Sequence, residues 1–307
     1  MSATHHEIHF EDHIVEQLAA SGWLVGDHKL YDRERALYPE DVIGWISDTH
    51  PQALERLTNM HGQNTESVIL ERLTKVLGSN EGGTIKVLRK GFSIAGAGNI
   101  NMSQALPEDA RNETVSQHYA ANRLRVVRQV RYSLDNENAI DLVLFINGIP
   151  VATLELKTDF TQSVEAAKEQ YRNDRKPKSS RNGRVEPLLA FKRGAVVHFA
   201  MSDSEVYMTT KLAAESTFFL PFNKGHDEGG GNPPSANGEY PVAYMWHEIL
   251  QKDAWLRIFH RFVLYTKKEE EHSRGEIYFK GSIIFPRFHQ LRAVNKLANA
   301  VKAEGVG

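Results

Sequence analysis

The spacing of apolar and polar positions alternates along the chain between a helical period and a strand-like one. Helical spacing predicts helices over 10–21, across most of 38–78, and over 113–123, 163–172, 244–250 and 255–265. Strand-like spacing predicts strands over 84–94 (one long strand or a pair), 124–132, 195–201, 206–210 and 218–222. Together these elements predict an α/β protein.

The most informative stretch is 140–158, where two apolar strands meet at Asn147-Gly148, a strong signal for a short hairpin. Asp141 opens the first strand, and Glu155 and Lys157 lie near the end of the second. Burying an unpaired charge in such a strand costs several kcal/mol. Two carboxylates and an ammonium there suit a hard divalent cation with one cationic helper. A structural ion pair between Glu155 and Lys157 is the alternative interpretation.

The turn of this hairpin sets a geometric condition on the site. A two-residue loop that pairs Ile146 with Ile149 would place Asp141 and Glu155 on opposite faces of the sheet. A three-residue loop with Gly148 in the left-handed conformation shifts the register by one residue and brings both acids to one face. We therefore predict a bulged turn, and a regular two-residue turn counts against a shared metal site.

Composition narrows the class of protein. The 307 residues are 41% hydrophobic and 25% charged, which is typical of globular proteins. The sequence has no cysteine, which excludes disulfides and thiolate zinc sites. No apolar run approaches the roughly 20 residues of a membrane helix, and no signal peptide is evident, so we expect a cytoplasmic protein. The net charge of −2 means that any nucleic-acid surface must be local.

One such local surface follows the helix predicted over 163–172. Its basic residues are Arg172, Arg175, Lys176, Lys178, Arg181 and Arg184, against the single acid Asp174. A mobile basic loop at this place could hold DNA phosphates. A solvated, partly disordered loop is the alternative.

The trio Asp141, Glu155 and Lys157 matches the pattern of the PD-(D/E)xK nucleases, although Ile140 stands where the pattern has proline. Many nucleases of that fold carry a glutamate on the first helix that faces the metal. Glu11 is the candidate here, and the alternative is that it only complements the helix dipole. The related RecB-like nucleases carry Gln-x-x-x-Tyr on the helix after the site.

In this chain the Gln-x-x-x-Tyr motif is not intact, because Ala167 lies four residues before Tyr171 and Gln170 lies beside it. Gln170 or Tyr171 could still line the site, whereas Tyr171 as plain core is the alternative. Further blocks widen the resemblance, namely those at 220–225, 231–234, around Trp246 and, as Phe-Pro-Arg-Phe-His-Gln, at 285–290. With these blocks the sequence resembles the N-terminal part of the restriction (R) subunit of type I restriction-modification enzymes.

The resemblance implies a PD-(D/E)xK mixed sheet flanked by helices, spanning 1–265. Residues 266–307 would be a linker, with the charge run 267–272, and the truncated start of a RecA-like superfamily 2 motor. Mg²⁺ would be held by Asp141, Glu155 and the backbone carbonyl of Leu156, with Lys157 as the third catalytic residue. The substrate would be double-stranded DNA, and the partners would be methylation (M) and specificity (S) subunits. No membrane is implied.

The block at 285–290 resembles the adenine-recognition element of the motor. Arg287, Phe288 and Gln290 would contact the adenine of ATP, and the alternative is a helix start with Gln290 exposed. No phosphate-binding loop of the form Gly-x-x-x-x-Gly-Lys-Ser/Thr occurs, so we expect no ATP binding by these 307 residues alone. Two other functions stay open: a non-catalytic docking module of a DNA-modification complex, and a free-standing RecB-like nuclease.

Overall fold

The computed structural model describes residues 3–107, 111–159, 162–225, 229–234, 237–271 and 277–304. Within these ranges the α-helices are α1 (Ala3–Ala20), α2 (Pro39–Thr49), α3 (Pro51–His61), α4 (Thr65–Leu77), α5 (Thr84–Lys90), α6 (Glu113–Ala121), α7 (Val164–Asn173), α8 (Lys252–Arg257) and α9 (Phe288–Glu304). Short 3₁₀ turns lie at His28–Leu30 and Gly62–Asn64, and π-helical turns at Met245–Ile249 and Ile258–Phe262. Proline is the first residue of α2 and of α3, a position where its missing N–H costs the helix no hydrogen bond.

The strands are β1 (Leu24–Gly26), β2 (Phe92–Ile94), β3 (Gly98–Ile100), β4 (Leu124–Arg131), β5 (Ala139–Ile146), β6 (Ile149–Leu156), β7 (Val197–Met201), β8 (Val206–Thr209), β9 (Leu220–Pro221), β10 (Leu264–Glu271) and β11 (Ile277–Ile284). In the described part of the chain, seven of them form one sheet in the order β1-β4-β5-β6-β7-β8-β9. The β1–β4 and β6–β7 pairs are parallel and the other pairs antiparallel. The predicted α/β architecture, a mixed sheet flanked by helices, is confirmed.

Each face of this sheet carries its own hydrophobic cluster. The larger cluster joins Leu142, Leu144 and Leu154 of the central strands to α1, α2, α4 and α8. The smaller one joins Val143 and Phe145 to α7. The two central strands are covered on both sides, so β6 is buried along its whole length. This burial explains why the hairpin appears in the sequence as nearly unbroken apolar runs.

The turn of the β5–β6 hairpin differs from the prediction. Ile146 pairs with Ile149, so the loop is the regular two-residue Asn147-Gly148, with φ of 49° and 79°. The predicted three-residue bulged turn is therefore wrong. The register shift occurs instead inside β6. Phe145 is opposite Pro150 and Leu144 is opposite Ala152, so Val151 between them has no counterpart in β5. Because of this extra residue, every later side chain of β6 projects from the opposite face of the sheet to the one a regular register would give.

The two-residue turn is fixed by its neighbours. The buried Asn147 side chain accepts a hydrogen bond from the Arg123 N–H at 2.6 Å and donates to the Met102 carbonyl at 2.9 Å. The Gly148 carbonyl accepts from the Tyr38 N–H at 2.8 Å. A Cβ at Gly148 would lie 2.4 Å from the Tyr38 carbonyl oxygen, so only glycine fits both the left-handed backbone and this close approach.

Residues 84–90 form helix α5 and not the predicted strand, which is confined to β2. The helix buries Ile85, Val87 and Leu88 and ends at Gly91, whose φ is 69°. Its first residue is held by distant backbone, since the Thr84 hydroxyl donates to the Gly194 carbonyl at 2.8 Å. Such long-range contacts override the local preference of β-branched residues for strands.

The charge run at 267–272 also differs from its interpretation as a solvated linker. Over 267–271 it belongs to β10, which pairs with β11, while residue 272 lies outside the described residues. The boundary proposed at 265/266 therefore falls within a strand. After β11, Phe285, Phe288 and Leu291 pack into the larger cluster, which ties the start of α9 to the sheet. In the described residues, no helix combines the length and apolarity needed to span a membrane.

Candidate functional site

The bulge in β6 brings the two candidate carboxylates together. The pairing of β5 with β6 ends with Leu142 opposite Leu154. The next residues along these antiparallel strands are Asp141 and Glu155, so continuing the register by one step places them across from each other. Directly opposed side chains project from the same face of a sheet. The shared face required for a common site is therefore present, although the turn that was expected to produce it is not.

Glu155 is completely buried and pairs with an arginine from the end of α7. Its Oε1 accepts a hydrogen bond from the Nε of Arg175 at 2.5 Å, and Arg175 is itself only 7% exposed. The Oε2 of Glu155 is buried without a hydrogen-bond partner. Burial raises the pKa of Glu155 well above its usual value, the negative charge of Asp141 adds to this, and Arg175 opposes it. The pair thus leaves one carboxylate oxygen unsatisfied.

Asp141 is half-buried at the solvent side of Glu155. Its Oδ2 accepts a hydrogen bond from the Leu156 N–H at 2.8 Å, and its Oδ1 accepts one from Gln129 at 3.4 Å. In a strand the N–H and C=O of one residue point to the same neighbour. The Leu156 carbonyl therefore faces the Asp141 side, where the resemblance places it as a ligand.

Lys157 follows β6 and takes its partner from the first helix. Its Nζ lies 3.5 Å from Oε2 of Glu7 on α1, and its side chain is 13% exposed. Glu155 is paired with Arg175, so in the described residues these two side chains do not form the ion pair considered as the alternative. The ammonium is close enough to Glu155 to lower the pKa of that carboxyl. Lys157 therefore retains a position beside the carboxylates.

Glu11 lies one turn after Glu7 on α1 and is also directed at the site. It is 6% exposed; Arg128 Nε donates to its Oε1 at 2.5 Å and Gln129 Nε2 to its Oε2 at 2.8 Å. Burial raises the pKa of Glu11, which Arg128 opposes and the charge of Asp141 reinforces. Glu11 is therefore part of the network around Asp141, through an amide that contacts both carboxylates.

That amide belongs to Gln129, a residue with an unusual backbone. Its φ is 48° within β4, a left-handed conformation that costs a non-glycine residue about 1–3 kcal/mol. The conformation directs the side chain to Glu11 and Asp141. Strain of this kind persists only where the surroundings enforce it, and it is concentrated at functional sites.

The donor set fits a divalent cation with few protein ligands. Among the described residues, no group of three or more His, Cys, Asp and Glu side chains is arranged to hold a metal ion. The unsatisfied Oε2 of Glu155, the Asp141 carboxylate and a backbone carbonyl are all oxygen donors, which Mg²⁺ prefers, and Mg²⁺ commonly keeps several waters. A cation between the two carboxylates would also neutralise their mutual repulsion. The residues present therefore fit Mg²⁺.

The helix after the site contributes a buried polar network. Tyr171 is fully buried and its hydroxyl lies 2.7 Å from the Thr153 hydroxyl, which in turn lies 2.7 Å from Nδ1 of His198. Burial lowers the pKa of His198 to about 3, so this imidazole is neutral near pH 7. Tyr171 is therefore part of the smaller hydrophobic cluster, as the alternative interpretation has it, while the neighbouring Gln170 is half-exposed.

The basic stretch after α7 is folded back as a short hairpin. Lys178 forms a bridge with Val185, and Asn182 donates to Asp135 at 3.0 Å across to the β4–β5 turn. Arg175 is buried against Glu155 and is not free for a phosphate, in contrast to the expectation. Two further members, Arg172 and Lys176, are half-buried. The exposed members are Lys178, Arg181 and Arg184.

At the start of α9 the candidate adenine contacts have internal partners. The side-chain oxygen of Gln290 accepts a hydrogen bond from the Arg287 N–H at 2.8 Å and thereby caps the helix. Gln290 is nevertheless exposed, as the alternative interpretation has it. Phe288 is 3% exposed and packs against Tyr244, with ring centroids 4.9 Å apart. Of the three, Gln290 and Arg287 are the ones within reach of a ligand.

The sequence did not predict that Glu7 and Gln129 belong to the site, nor that Arg175 pairs with Glu155. Their partners lie 150, 12 and 20 residues away along the chain. No local spacing signals contacts of that range. The Asp174-Arg175 pair after α7 was visible only as part of a basic run.

Comparison with known families matches a large part of the chain. A family model described as the type I restriction enzyme R protein N terminus matches residues 33–217, more than half of the 307 residues. The matched range contains Asp141, Glu155, Lys157 and Arg175, and excludes Glu11 and the start of α9. A search of curated proteins found no match to the chain.

Proposed function

Because the chain belongs to the family of type I restriction enzyme R protein N termini, we propose that it is the nuclease part of such a subunit, with a PD-(D/E)xK site that cleaves double-stranded DNA. The observation that carries the proposal is the register of the β5–β6 hairpin. Continued by one step past Leu142 and Leu154, it brings Asp141 across from Glu155 inside the matched range. Among the described residues, Oε2 of the buried Glu155 has no hydrogen-bond partner. A purely structural pair of acids would not need to face each other.

In the proposed mechanism Asp141, Glu155 and the Leu156 carbonyl would hold Mg²⁺. When bound, the ion supplies Lewis acidity to the scissile phosphate and lowers the pKa of a water ligand. Lys157, held by Glu7, donates hydrogen bonds to the attacking water or to the phosphate oxygen that gains negative charge. Gln129 and the Leu156 N–H orient the Asp141 carboxylate. Arg175 keeps Glu155 in place from its buried side.

DNA would approach from the side of Asp141 and Lys157, which are the partly exposed members of the site. We propose that the exposed basic residues Lys178, Arg181 and Arg184 contact backbone phosphates, since lysine and arginine supply most of such contacts. In the full-length subunit, ATP-driven translocation would deliver the DNA, with Arg287 and Gln290 at the adenine and Phe288 as their support. Methylation and specificity subunits would supply sequence recognition, and the cytoplasm would be the compartment.

The test compares wild type with Asp141→Asn, which keeps an acceptor for the Leu156 N–H but removes the charge. Mg²⁺ binding is measured by calorimetry on the 307-residue chain, and DNA cleavage on the full-length subunit assembled with its partners and ATP. We expect the variant to lose both. Glu169→Gln, an exposed acid on α7, is the control and should lose neither. Cleavage by the Asp141→Asn complex at the wild-type rate would refute the assignment.

The same experiment separates the other functions. A docking module would bind Mg²⁺ equally in wild type and variant, and would not change cleavage by the complex. A free-standing nuclease would cut DNA without ATP or partner subunits.

A further inference from the structure

A second strongly charged feature lies away from the carboxylates. A cavity of about 420 Å³ is bordered by the segment 80–83, one side of α5, Lys192 and the beginning of β10. Its described walls carry five cationic side chains and one acidic one. The cations are Lys86, Arg89, Lys90, Lys192 and Lys267, and the acid is Glu81. This local excess is large for a chain whose net charge is −2.

The lysines come to the cavity from three separate parts of the chain. Lys86 and Lys90 are four residues apart on α5 and therefore share one face of the helix. Lys192 belongs to the loop that enters β7, and Lys267 belongs to β10. Because the convergence is produced by tertiary folding, it is not a charge run along the sequence.

The cationic side chains of the cavity differ in whether they already have hydrogen-bond or ion-pair partners. Arg89 donates to the carbonyls of Phe259 and Val263 at 2.7 and 2.6 Å, so it fixes α5 to the turn before β10. Lys192 donates to the Asn80 carbonyl at 2.6 Å and is half-buried. Within the described residues, the exposed Lys86, Lys90 and Lys267 form no ion pair with a carboxylate. The described walls therefore keep an excess of positive charge, which Glu81 offsets only in part.

Electrostatics within the cavity are unfavourable without an anion. Burial lowers the pKa of Lys192, the positive charges of Lys267 and Lys86 lower it further, and the negative charge of Glu81 opposes them. Like charges gathered in a concave, partly desolvated site raise the local potential and attract a counter-ion. A bound anion would reverse these repulsions.

We propose that this cavity binds phosphate groups. Lysine ammonium groups act as point charges toward phosphate, whereas recognition of a planar carboxylate favours a free guanidinium fork, and the arginine here is already engaged. The phosphates belong either to a DNA backbone or to a small ligand such as a nucleotide or pyrophosphate. Both sources share the chemistry that the lysines recognise.

The cavity is distinct from the carboxylate site. β6 and β7 are parallel, with Ala152 opposite Val197 and Glu155 opposite Ala200. The loop that enters β7 carries Lys192 and therefore lies near the N-terminal end of β6. Glu155 and Lys157 lie at the C-terminal end of β6. A phosphate held in the cavity would be at the opposite end of the sheet from the proposed cleavage site.

The test uses the double variant Lys86→Glu/Lys90→Glu in the 307-residue chain, since both side chains are exposed and the fold should survive. Lys29→Glu/Lys296→Glu changes the charge equally at exposed positions outside the cavity and serves as the control. Circular dichroism confirms folding, and Lys86→Gln/Lys90→Gln replaces the first variant if it fails. Binding to pyrophosphate, ATP and a 20-base-pair duplex without Mg²⁺ is measured by calorimetry and fluorescence anisotropy.

Loss of duplex affinity by about tenfold or more in the cavity variant, with a salt slope reduced by about 1.8 and no such change in the control, identifies the DNA backbone as the source. Loss of pyrophosphate or ATP affinity alone identifies a small phosphate ligand. Equal binding by the cavity and control variants in every arm would overturn the proposal. Because Mg²⁺ is absent and the carboxylates are unchanged, this outcome is independent of the nuclease assignment.

Discussion

The buried pair of Glu155 and Arg175 provides a direct test of how the site is held together. The informative substitution is Arg175→Met, which keeps an unbranched apolar side chain and removes the guanidinium that pairs with Glu155 and lies over the Tyr132 ring. Glu155 would then be a fully buried carboxyl with neither oxygen paired. The matched double variant Arg175→Met/Glu155→Gln removes the second charge as well.

The expected magnitude follows from burial. Breaking a buried ion pair by removing one partner costs about 3–5 kcal/mol, because the remaining charge is uncompensated. Without Arg175 the pKa of Glu155, already raised by burial, rises further. A carboxyl whose pKa is raised on folding keeps its stability below the unfolded value of 4.5 and loses it as pH rises toward the folded value. The cost of Arg175→Met should therefore be small near pH 4.5 and should grow as the pH rises.

Urea denaturation of wild type, both single variants and the double variant at pH 5 and pH 8 measures this, with the coupling free energy taken from the cycle. We expect the double variant to be more stable than Arg175→Met by about 2 kcal/mol or more at pH 8. If Arg175→Met lost less than about 1 kcal/mol at both pH values, the pair would not neutralise Glu155 and the proposed support of the site would be wrong.

Three further outcomes follow from single residues. Gly148→Ala should lower the free energy of unfolding by well over 1 kcal/mol because its Cβ meets a backbone carbonyl at 2.4 Å, whereas Gly98→Ala, with φ of 81° and open space, should cost about 1 kcal/mol; equal losses would contradict the close approach. For His198, whose pKa is lowered to about 3, the unfolded chain takes up a proton below pH 6.5 and the folded chain does not, so stability falls by about 2 kcal/mol between pH 7.5 and pH 5. His198→Gln should remove that part of the acid sensitivity in urea titrations and the exposed control His289→Gln should not. Gln129→Gly should relieve backbone strain and so keep thermal stability near wild type while cleavage falls, and a variant with unchanged cleavage would show that the amide does not orient the carboxylates.

The parts of this protein that were predictable are those determined by local pattern. Nearly continuous apolar strands around Asn147-Gly148 identified the hairpin, and three charges out of place in it identified Asp141, Glu155 and Lys157 as candidates. These signals depend on spacings of a few residues. Helix α5 was missed because the spacing of its apolar residues is compatible with both a helix and a strand. Its start is also fixed by a hydrogen bond from Thr84 to a residue 110 positions away.

Long-range partners were not predictable for the same reason. Arg175 was visible only as one charge in a basic run, and its burial against Glu155 depends on how α7 packs on β6. The role of Gln129 depends on a left-handed backbone that strand propensity does not anticipate. Both residues act by satisfying a carboxylate, so the signal that could have found them is the need to balance two buried acids, not a motif.

The position of the β6 bulge links the turn to the site. The Asn147-Gly148 turn is held on one side by Arg123 and on the other by Tyr38, and an additional residue there would break these hydrogen bonds. The register must then be corrected further along, and the extra residue is Val151, whose carbonyl is bound by the N–H of Val196 as the chain enters β7. Sequence periodicity correctly required one irregularity between Asp141 and Glu155 but could not locate it. The packing of the turn and the β6–β7 contact together thus determine that Asp141 and Glu155 project from the same face of the sheet. Weakening either should therefore disturb the site, although both lie several residues away from it.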